Sequence, residues 1–417
     1  MIEKGTVVKS DSGRRRIRVD GFIKEGGQAA VYHATELNSG QKGVLKEFRK
    51  RFANGDTVKR IQFLLDQDFQ TACPVLSGPI DVLNTRGLVG HYTPFVAGKQ
   101  LEEFLVEPNS TFVEQMQLAI ALAHAVNIMH SRRIAHGDLH AENVIINREG
   151  TVFRVHLIDL DNFNASGMPL PPCVGHNLYI APELREALAK GRPAIPTCET
   201  DLFALGVMMH ELLLLYHTSA GNDAADPDFK KAMCSGRWLL DQAAADRPRK
   251  DLGGYPVGIL NADLARLFRS SLSLDPAMRP SAASWEATLW AAFFAIYCCP
   301  APACGGPCVI DASKTKCPVC GTPFPSLTLR VKDKGRVLRL TNGATVVGRS
   351  ELGGSQKVSV RHAIFRRVGP ETWIESKGSN GTYRWNGASW TKMPENKPRL
   401  VQAGDRLRFG DVEAQLS

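Results

Sequence analysis

His136-Gly137-Asp138-Leu139-His140-Ala141-Glu142-Asn143 runs into the strand-like Val144-Ile145-Ile146, and Val152 to Asn162 reads as a second strand closing on Asp159-Leu160-Asp161. Carboxylates and an asparagine on neighbouring loops can align a hydroxyl, a divalent metal and a triphosphate. Attack of a hydroxyl on phosphorus needs a carboxylate to take the proton and oxygen ligands to hold Mg²⁺. The stretch therefore points to phosphoryl transfer.

Upstream, Phe22-Ile23-Lys24-Glu25-Gly26-Gly27-Gln28-Ala29-Ala30-Val31-Tyr32 reads as strand, glycine turn, strand. Gly26 and Gly27 let backbone N–H groups approach phosphates without a side chain in the way. A glycine pair between strands is also what a plain hairpin needs. Lys46, on the apolar run Val44-Leu45-Lys46, can reach the α- and β-phosphates. Pro108-Asn109-Ser110-Thr111 is a helix-start signal with Asn109 or Ser110 able to cap. The helix that follows, to about His130, is apolar on most sides and so expected to be buried.

At 417 residues the chain predicts two or three domains. Met1 to Arg18 is polar, without the apolar core of a signal peptide. The apolar run Leu202 to Tyr216 is interrupted by His210 and Glu211 and is shorter than the ~20 residues a bilayer requires. A cytoplasmic protein with no membrane association is the expectation. Residues 327–417 hold 17 Lys+Arg against 8 Asp+Glu, which equals the whole net charge of +9. A basic C-terminal module on a neutral body fits an acidic or phosphorylated ligand, with nucleic acid as the competing reading. No basic, aromatic-interleaved helix is found there, which disfavours nucleic acid.

Of ten cysteines, Cys73, Cys173, Cys198 and Cys234 are scattered and six crowd between Cys298 and Cys320. With no export signal, such a cluster predicts metal binding rather than disulfides. Cys299-Pro300 with Cys304-Gly305, and Cys317-Pro318-Val319-Cys320-Gly321, resemble the paired knuckles of a zinc ribbon. Four thiolates suit tetrahedral Zn²⁺ in a structural site. Cys298 or Cys308 could substitute in the first half.

Together the glycine turn, Lys46 and the His136–Asn143 stretch resemble the eukaryotic-like serine/threonine protein kinase family, from about Arg15 to Tyr297. The resemblance implies a bilobal α+β fold over residues 1–297 that binds ATP and Mg²⁺. By it Asp138 is the catalytic base, and Asn143 and Asp159 hold Mg²⁺. Gly26, Gly27, Val31 and Lys46 hold nucleotide, Thr93 guards the back of the adenine pocket, and Phe95 and Val96 edge the base. His136 is structural. Lys24 and Ala29 replace two of the family's glycines, Gly137 replaces an Arg that grips an activation-loop phosphate, and His140 replaces a Lys.

The family's lysine pairs with a Glu on the next helix. The candidate helix here, Thr57 to Phe69, has no Glu, and Gln62 stands nearest the expected place. That departure makes a pseudokinase scaffold the alternative. Small-molecule kinases of the aminoglycoside phosphotransferase type share His-Gly-Asp-Leu-His and the Asn. Tyr179-Ile180-Ala181-Pro182-Glu183, Asp201 opening Asp201–Gly206, and Arg279 placed to pair with Glu183 resemble protein kinases instead. Between Asp161 and Tyr179 the only Ser or Thr is Ser166. Phosphate acceptor and phosphate receptor are depleted together, so activation-loop phosphorylation is not expected to be required.

Residues 298–325 are the ribbon. Over residues 326–417, short alternating strands broken by Gly and Asn predict an all-β sandwich. Gly348-Arg349, Ser359-Val360-Arg361-His362 and Asn380-Gly381-Thr382 resemble a forkhead-associated domain, which binds phosphothreonine peptides. The resemblance gives Arg349, Ser359, Arg361, Asn380 and Thr382 to the peptide and makes His362 a loop support. It implies a protein substrate carrying Ser or Thr, and a phosphothreonine partner that is another protein or the chain's own segment. Bacterial signalling kinases of this build are similar to the kinase of phosphorylation triads that include a phosphatase and a von Willebrand factor A protein.

Overall fold

A computed structural model of the chain describes residues 1–85, 87–107, 110–150, 152–172, 175–219, 227–238, 254–299, 301–311, 314–324, 327–340, 343–368 and 371–417. Asn109 and Cys173 lie outside the described residues. The described chain forms two compact units, one of residues 1–238, 254 and 267–289, the other of residues 255–266 and 290–417.

The first unit begins with β1 (Val7–Lys9), β2 (Arg16–Glu25), β3 (Ala29–Glu36), β4 (Lys42–Phe48), β5 (Asp81–Thr85) and β6 (Leu88–Pro94). They form one antiparallel sheet in the order β1-β2-β3-β4-β6-β5. Alternation sends Ile17, Val19, Tyr32, Ala34, Leu45 and Tyr92 to one buried face. On the other, Ala29, Phe48, Val82 and Val89 pack with Ile61 of the helix α1 (Gly55–Asp66). Asn54 caps α1 by accepting from the Thr57 N–H at 3.0 Å. The helix starts two residues before the expected Thr57 and ends three before Phe69.

The rest of this unit is largely helical. The helix Phe112–Ser131 is capped by Thr111, not Asn109 or Ser110, in a reciprocal box with Glu114. It is long and apolar enough for a bilayer by length and composition, but most of it is buried inside the protein. The helix Cys198–Leu214 is buried nearly all round, which explains the apolar run read there. A three-stranded sheet of Lys99–Gln100, Val144–Glu149 and Val152–Leu157 carries the two loops with which the sequence reading began.

In the second unit, Ile296–Cys298 pairs antiparallel with Pro307–Val309. The helix Ala282–Phe293 precedes this ladder, and Tyr297 lies in its first strand. Beyond it, Val337–Leu340, Leu327–Val331, Val412–Leu416, Arg406–Phe409, Thr382–Trp385 and Trp390–Lys392 make one sheet in that order. Gly343–Val347, Ala363–Val368, Glu371–Ser376 and Arg399–Val401 make another. Leu329, Val347, Phe365, Ile374, Leu407, Phe409 and Leu416, from both sheets, share one buried cluster, so the region is a β-sandwich.

Candidate functional site

The loop His136–Asn143 is fixed from below by Asp201 at the start of its helix. One Asp201 oxygen accepts from the His136 N–H at 2.6 Å and the other from the Gly137 N–H at 3.0 Å. His130 Nε2 also lies 3.1 Å from Asp201. His136 then ties the loop to the next strand, with Nε2 3.1 Å from the Ile158 carbonyl and Nδ1 accepting from the Asp138 N–H at 3.3 Å. A carboxylate that satisfies three donors while buried makes a stiff anchor. Gly137 has φ +77°, and a Cβ there would stand 2.2 Å from the Asn162 carbonyl oxygen. Two loops pass so closely that no side chain fits, which is the physical reason an Arg is absent.

Asp138 is held at the mouth of this loop. Its Oδ2 accepts from Asn162 Nδ2 at 3.2 Å, and Gln28 of the glycine turn donates to Asn162 Oδ1 at 2.9 Å. Asn143 donates to the Asp138 carbonyl at 2.9 Å, with His140 Nε2 at 2.9 Å from the same amide nitrogen. The His140 ring stacks on His176 at 4.8 Å. Burial pushes the pKa of His140 down, more than the nearby Asp138 carboxylate pushes it up. The lysine of the family pattern is thus replaced here by a half-stacked ring that favours its neutral form.

A cleft of about 400 Å³ opens beside these residues, lined among others by Val31, Val44, Lys46, Thr93, Val96, Asn143, Ile145 and Asp159. Its size and its apolar walls with few polar groups suit a nucleotide-sized ligand. Asp159 adopts φ +57°, a left-handed conformation that Asp tolerates better than most residues. Its carboxylate is about a third exposed, and both it and Asn143 line the cleft. Those oxygen donors match the hard-ligand preference of Mg²⁺.

Lys46 Nζ lies 2.5 Å from Asp159 and 2.6 Å from Asp161. Burial alone would lower the lysine's pKa, but the two carboxylates outweigh it and leave the ammonium form favoured beyond its ordinary range. Burial likewise works to raise Asp161, and Lys46 with His91 holds it well below the carboxylate range instead. Asp161 as the partner of Lys46 was not read from sequence. The signal was a lysine without a helix Glu and a second Asp two residues after Asp159.

Two expectations need correction here. Gln62 does not face Lys46: on the exposed side of α1 it donates to Asp66 Oδ1 at 2.9 Å, because the buried stripe of the helix is Arg60, Ile61 and Leu64. The Gly26 N–H closes its own turn onto the Ala29 carbonyl at 2.8 Å, so it is not free for a phosphate. Phe95 lines the cleft beside Val96, with its own N–H spent on the Lys42 carbonyl at 3.0 Å.

Glu183 and Arg279 are joined by two parallel 2.7 Å bonds, and the Arg279 side chain is fully buried. Arg279 also donates to the Ser273 and Glu199 carbonyls, so its charge is fully used. Ser166 is exposed.

In the second unit the sulfurs of Cys299, Cys304, Cys317 and Cys320 lie within 4.8 Å of one another. Cys299 and Cys320 are 3.6 Å apart, and Cys304 and Cys317 3.9 Å. A tetrahedron with metal–sulfur bonds of about 2.3 Å has edges of roughly 3.8 Å. The N–H of Gly306 points at Cys304 Sγ (3.3 Å) and that of Val319 at Cys317 Sγ (3.4 Å). The four cysteines could hold a metal ion. Cys298 and Cys308, the alternatives, stand outside the cluster, Cys298 exposed and Cys308 buried.

At the sandwich loops, His362 is fully buried and bridges two of the three segments. Its Nδ1 accepts from the Ser359 N–H at 3.1 Å, and its Nε2 lies 2.9 Å from the Gly381 carbonyl. Gly378 is needed beside it, since a Cβ there would meet the ring at 2.3 Å. Arg349 donates to the Val358 carbonyl and Asn380 to the Lys357 carbonyl, both at 2.9 Å. Arg361 is exposed, whereas Thr382 is fully buried in a strand. Thr382 therefore supports the loop from inside and does not meet a peptide, a correction to its expected role.

Residues 18–291 match the family model described as the protein kinase domain. The chain is 27% identical over 285 residues to the serine/threonine-protein kinase PknD of Protochlamydia amoebophila, covering 60% of this chain and 28% of that one. It is 25% identical over 209 residues to the probable serine/threonine-protein kinase pXi of Dictyostelium discoideum, covering 49% and 29%. To the probable serine/threonine-protein kinase PknB of Lactococcus lactis it is 25% identical over 203 residues, covering 48% and 31%. The chain thus spans about three-tenths of the length of these relatives. With the family model covering well over half of the chain, and the loop, lysine and Glu–Arg pair placed as described, the chain belongs to the protein kinase domain family.

Proposed function

We propose that the chain is an ATP- and Mg²⁺-dependent serine/threonine protein kinase of bacterial signalling. The observation that carries this is Lys46, Asn143 and Asp159 lining one cleft, with Asp138 tied to Asn143 through its carbonyl and to Asn162 through its carboxylate. Asp138 takes the proton of a substrate hydroxyl, Lys46 holds the phosphates, and Val31, Thr93 and Val96 flank the base. Asn143 and Asp159 would hold Mg²⁺, which would supply positive charge to offset that of the phosphates. A small-molecule kinase is less favoured, because the Glu183–Arg279 pair belongs to the protein kinase pattern.

The chain also carries, in this reading, a structural Zn²⁺ on Cys299, Cys304, Cys317 and Cys320 and a phosphothreonine-reading sandwich. Arg349, Ser359, Arg361 and Asn380 are its contacts, and the local charge of +9 suits an anionic ligand. The bound phosphothreonine belongs to a partner protein or to the chain's own segment. A phosphatase and a von Willebrand factor A protein are the companions that kinases of this build imply.

Labelled ATP with Mg²⁺ tests the enzyme half. Asp138→Asn should lower phosphotransfer by about 10²–10⁴-fold with an unchanged melting temperature. Equal transfer by both proteins, or none by the parent, would leave the pseudokinase scaffold as the better reading.

A further inference from the structure

Lys46 is held by two carboxylates of unlike character. Asp159 is about a third exposed and lines the cleft, where it accepts from Lys46 Nζ. Asp161 is buried, with its Oδ2 2.6 Å from Lys46 and its Oδ1 3.0 Å from His91 Nε2. His91 is the cross-strand partner of Lys46 between β4 and β6, and its Nδ1 lies 3.1 Å from Thr93 Oγ1. Asp161 is thus walled in by a ring that is itself oriented by a hydroxyl. The helix α1 offers Lys46 nothing, since Gln62 turns outward to Asp66.

What α1 does supply is Arg60. This buried guanidinium donates to the carbonyls of Asp161 at 2.6 Å, Phe163 at 2.5 Å and Pro169 at 2.6 Å. It also sits 4.4 Å from the centre of the Phe163 ring. The helix therefore grips the backbone of the loop that carries Asp161, and touches the lysine only through that loop.

Resting on the nucleotide-binding reading of the cleft, we propose that Asp161 is the positioning residue for Lys46, in the place of a helix carboxylate. The lysine is anchored from the loop after Ile158, braced by His91, so its alignment does not depend on a carboxylate from α1. Asp159 meets Lys46 from the exposed side and Asp161 from the buried one, so Asp161 keeps the ammonium fixed at the cleft wall.

A double-mutant cycle on the full chain tests this, reading Mg²⁺-free ATP binding by calorimetry. Asp161→Asn keeps the size of the side chain and the His91 contact but loses the charge. It should weaken ATP about ten-fold in the parent and less than about two-fold in a Lys46→Met background. An equal loss in both backgrounds would mean Asp161 shapes the pocket without acting through Lys46, and would overturn the proposal, as would no loss in the parent. Gln62→Ala, on an exposed face, should leave ATP affinity within about two-fold. A ten-fold loss there would return the lysine's partner to α1 and also overturn it. Failure of the parent to bind ATP would sink the nucleotide reading itself, a result distinct from either.

Discussion

The His136–Asn143 loop and the Cys299–Cys320 cluster are both short irregular segments with converging side chains, yet they are held in different ways. The loop is tied by Asp201, His136 and Asn162 to surrounding backbone, so its geometry is a property of the folded chain. Among its described residues the cysteine segment has a two-stranded ladder, knuckle turns closed by bonds such as Cys299 N–H to Gly306 and Cys317 N–H to Thr322, two N–H···S contacts and four thiols in near-contact. Four thiolates at such distances repel unless a cation sits between them. The first site is finished without a ligand, and the second would be finished by the metal proposed for it.

Removing metal should therefore have the largest effect. Structural zinc in small peptides contributes about 10–16 kcal/mol of binding free energy that is also folding free energy. Chelation, or Cys317→Ser, should raise amide hydrogen exchange across 296–324 to nearly unprotected rates while 136–143 keeps its protection. Survival of protection across the cysteine segment would break the contrast.

A smaller effect probes the self-held side. Glu211 is half-buried and accepts a hydrogen bond from the Tyr179 hydroxyl at 2.9 Å. Burial pushes its pKa up from 4.5 to about 7, against the pull of that hydroxyl. Between those values the folded chain keeps a proton that the unfolded chain has released. Stability then falls as pH rises through this window, by roughly 3 kcal/mol in full. Glu211→Gln should flatten the fall, seen as a melting temperature nearly constant from pH 5 to 8 by this group's account. An unchanged slope would remove Glu211 as its source.

The sandwich loops sharpen the comparison, because they lie in the same unit as the cysteines but are braced by His362. Arg349→Ala should weaken a phosphothreonine peptide about ten-fold in a titration, with kinase turnover intact. Unchanged affinity would take Arg349 out of the ligand's reach. The smallest expected effect is none: a catalytic loop locked by its own contacts needs no phosphate, so Ser166→Ala should phosphorylate substrate at the parental rate. A large loss would show that the loop is switched after all.

Legibility in the sequence followed the range of the interaction. Asp138, Asn143 and Asp159 sit at fixed offsets from two adjacent strands, and the Cys317/Cys320 turn is local, so both could be read. The alternation Cys298-Cys299 put one sulfur out and one in, but which was which depended on the pairing of Ile296–Cys298 with Pro307–Val309. The partner of Lys46 was not legible, because it lies far along the chain and α1 presents Arg60 where a carboxylate was sought. Thr382 was misread because a strand's inward face and a loop's outward one look alike at the residue after a turn.

Gly137 carries a consequence for how this lineage can change. With the Asn162 oxygen 2.2 Å from where a first side-chain carbon would go, any side chain at that spot would force one of the two backbones to shift. Selection that tunes this protein must therefore work on its other surfaces.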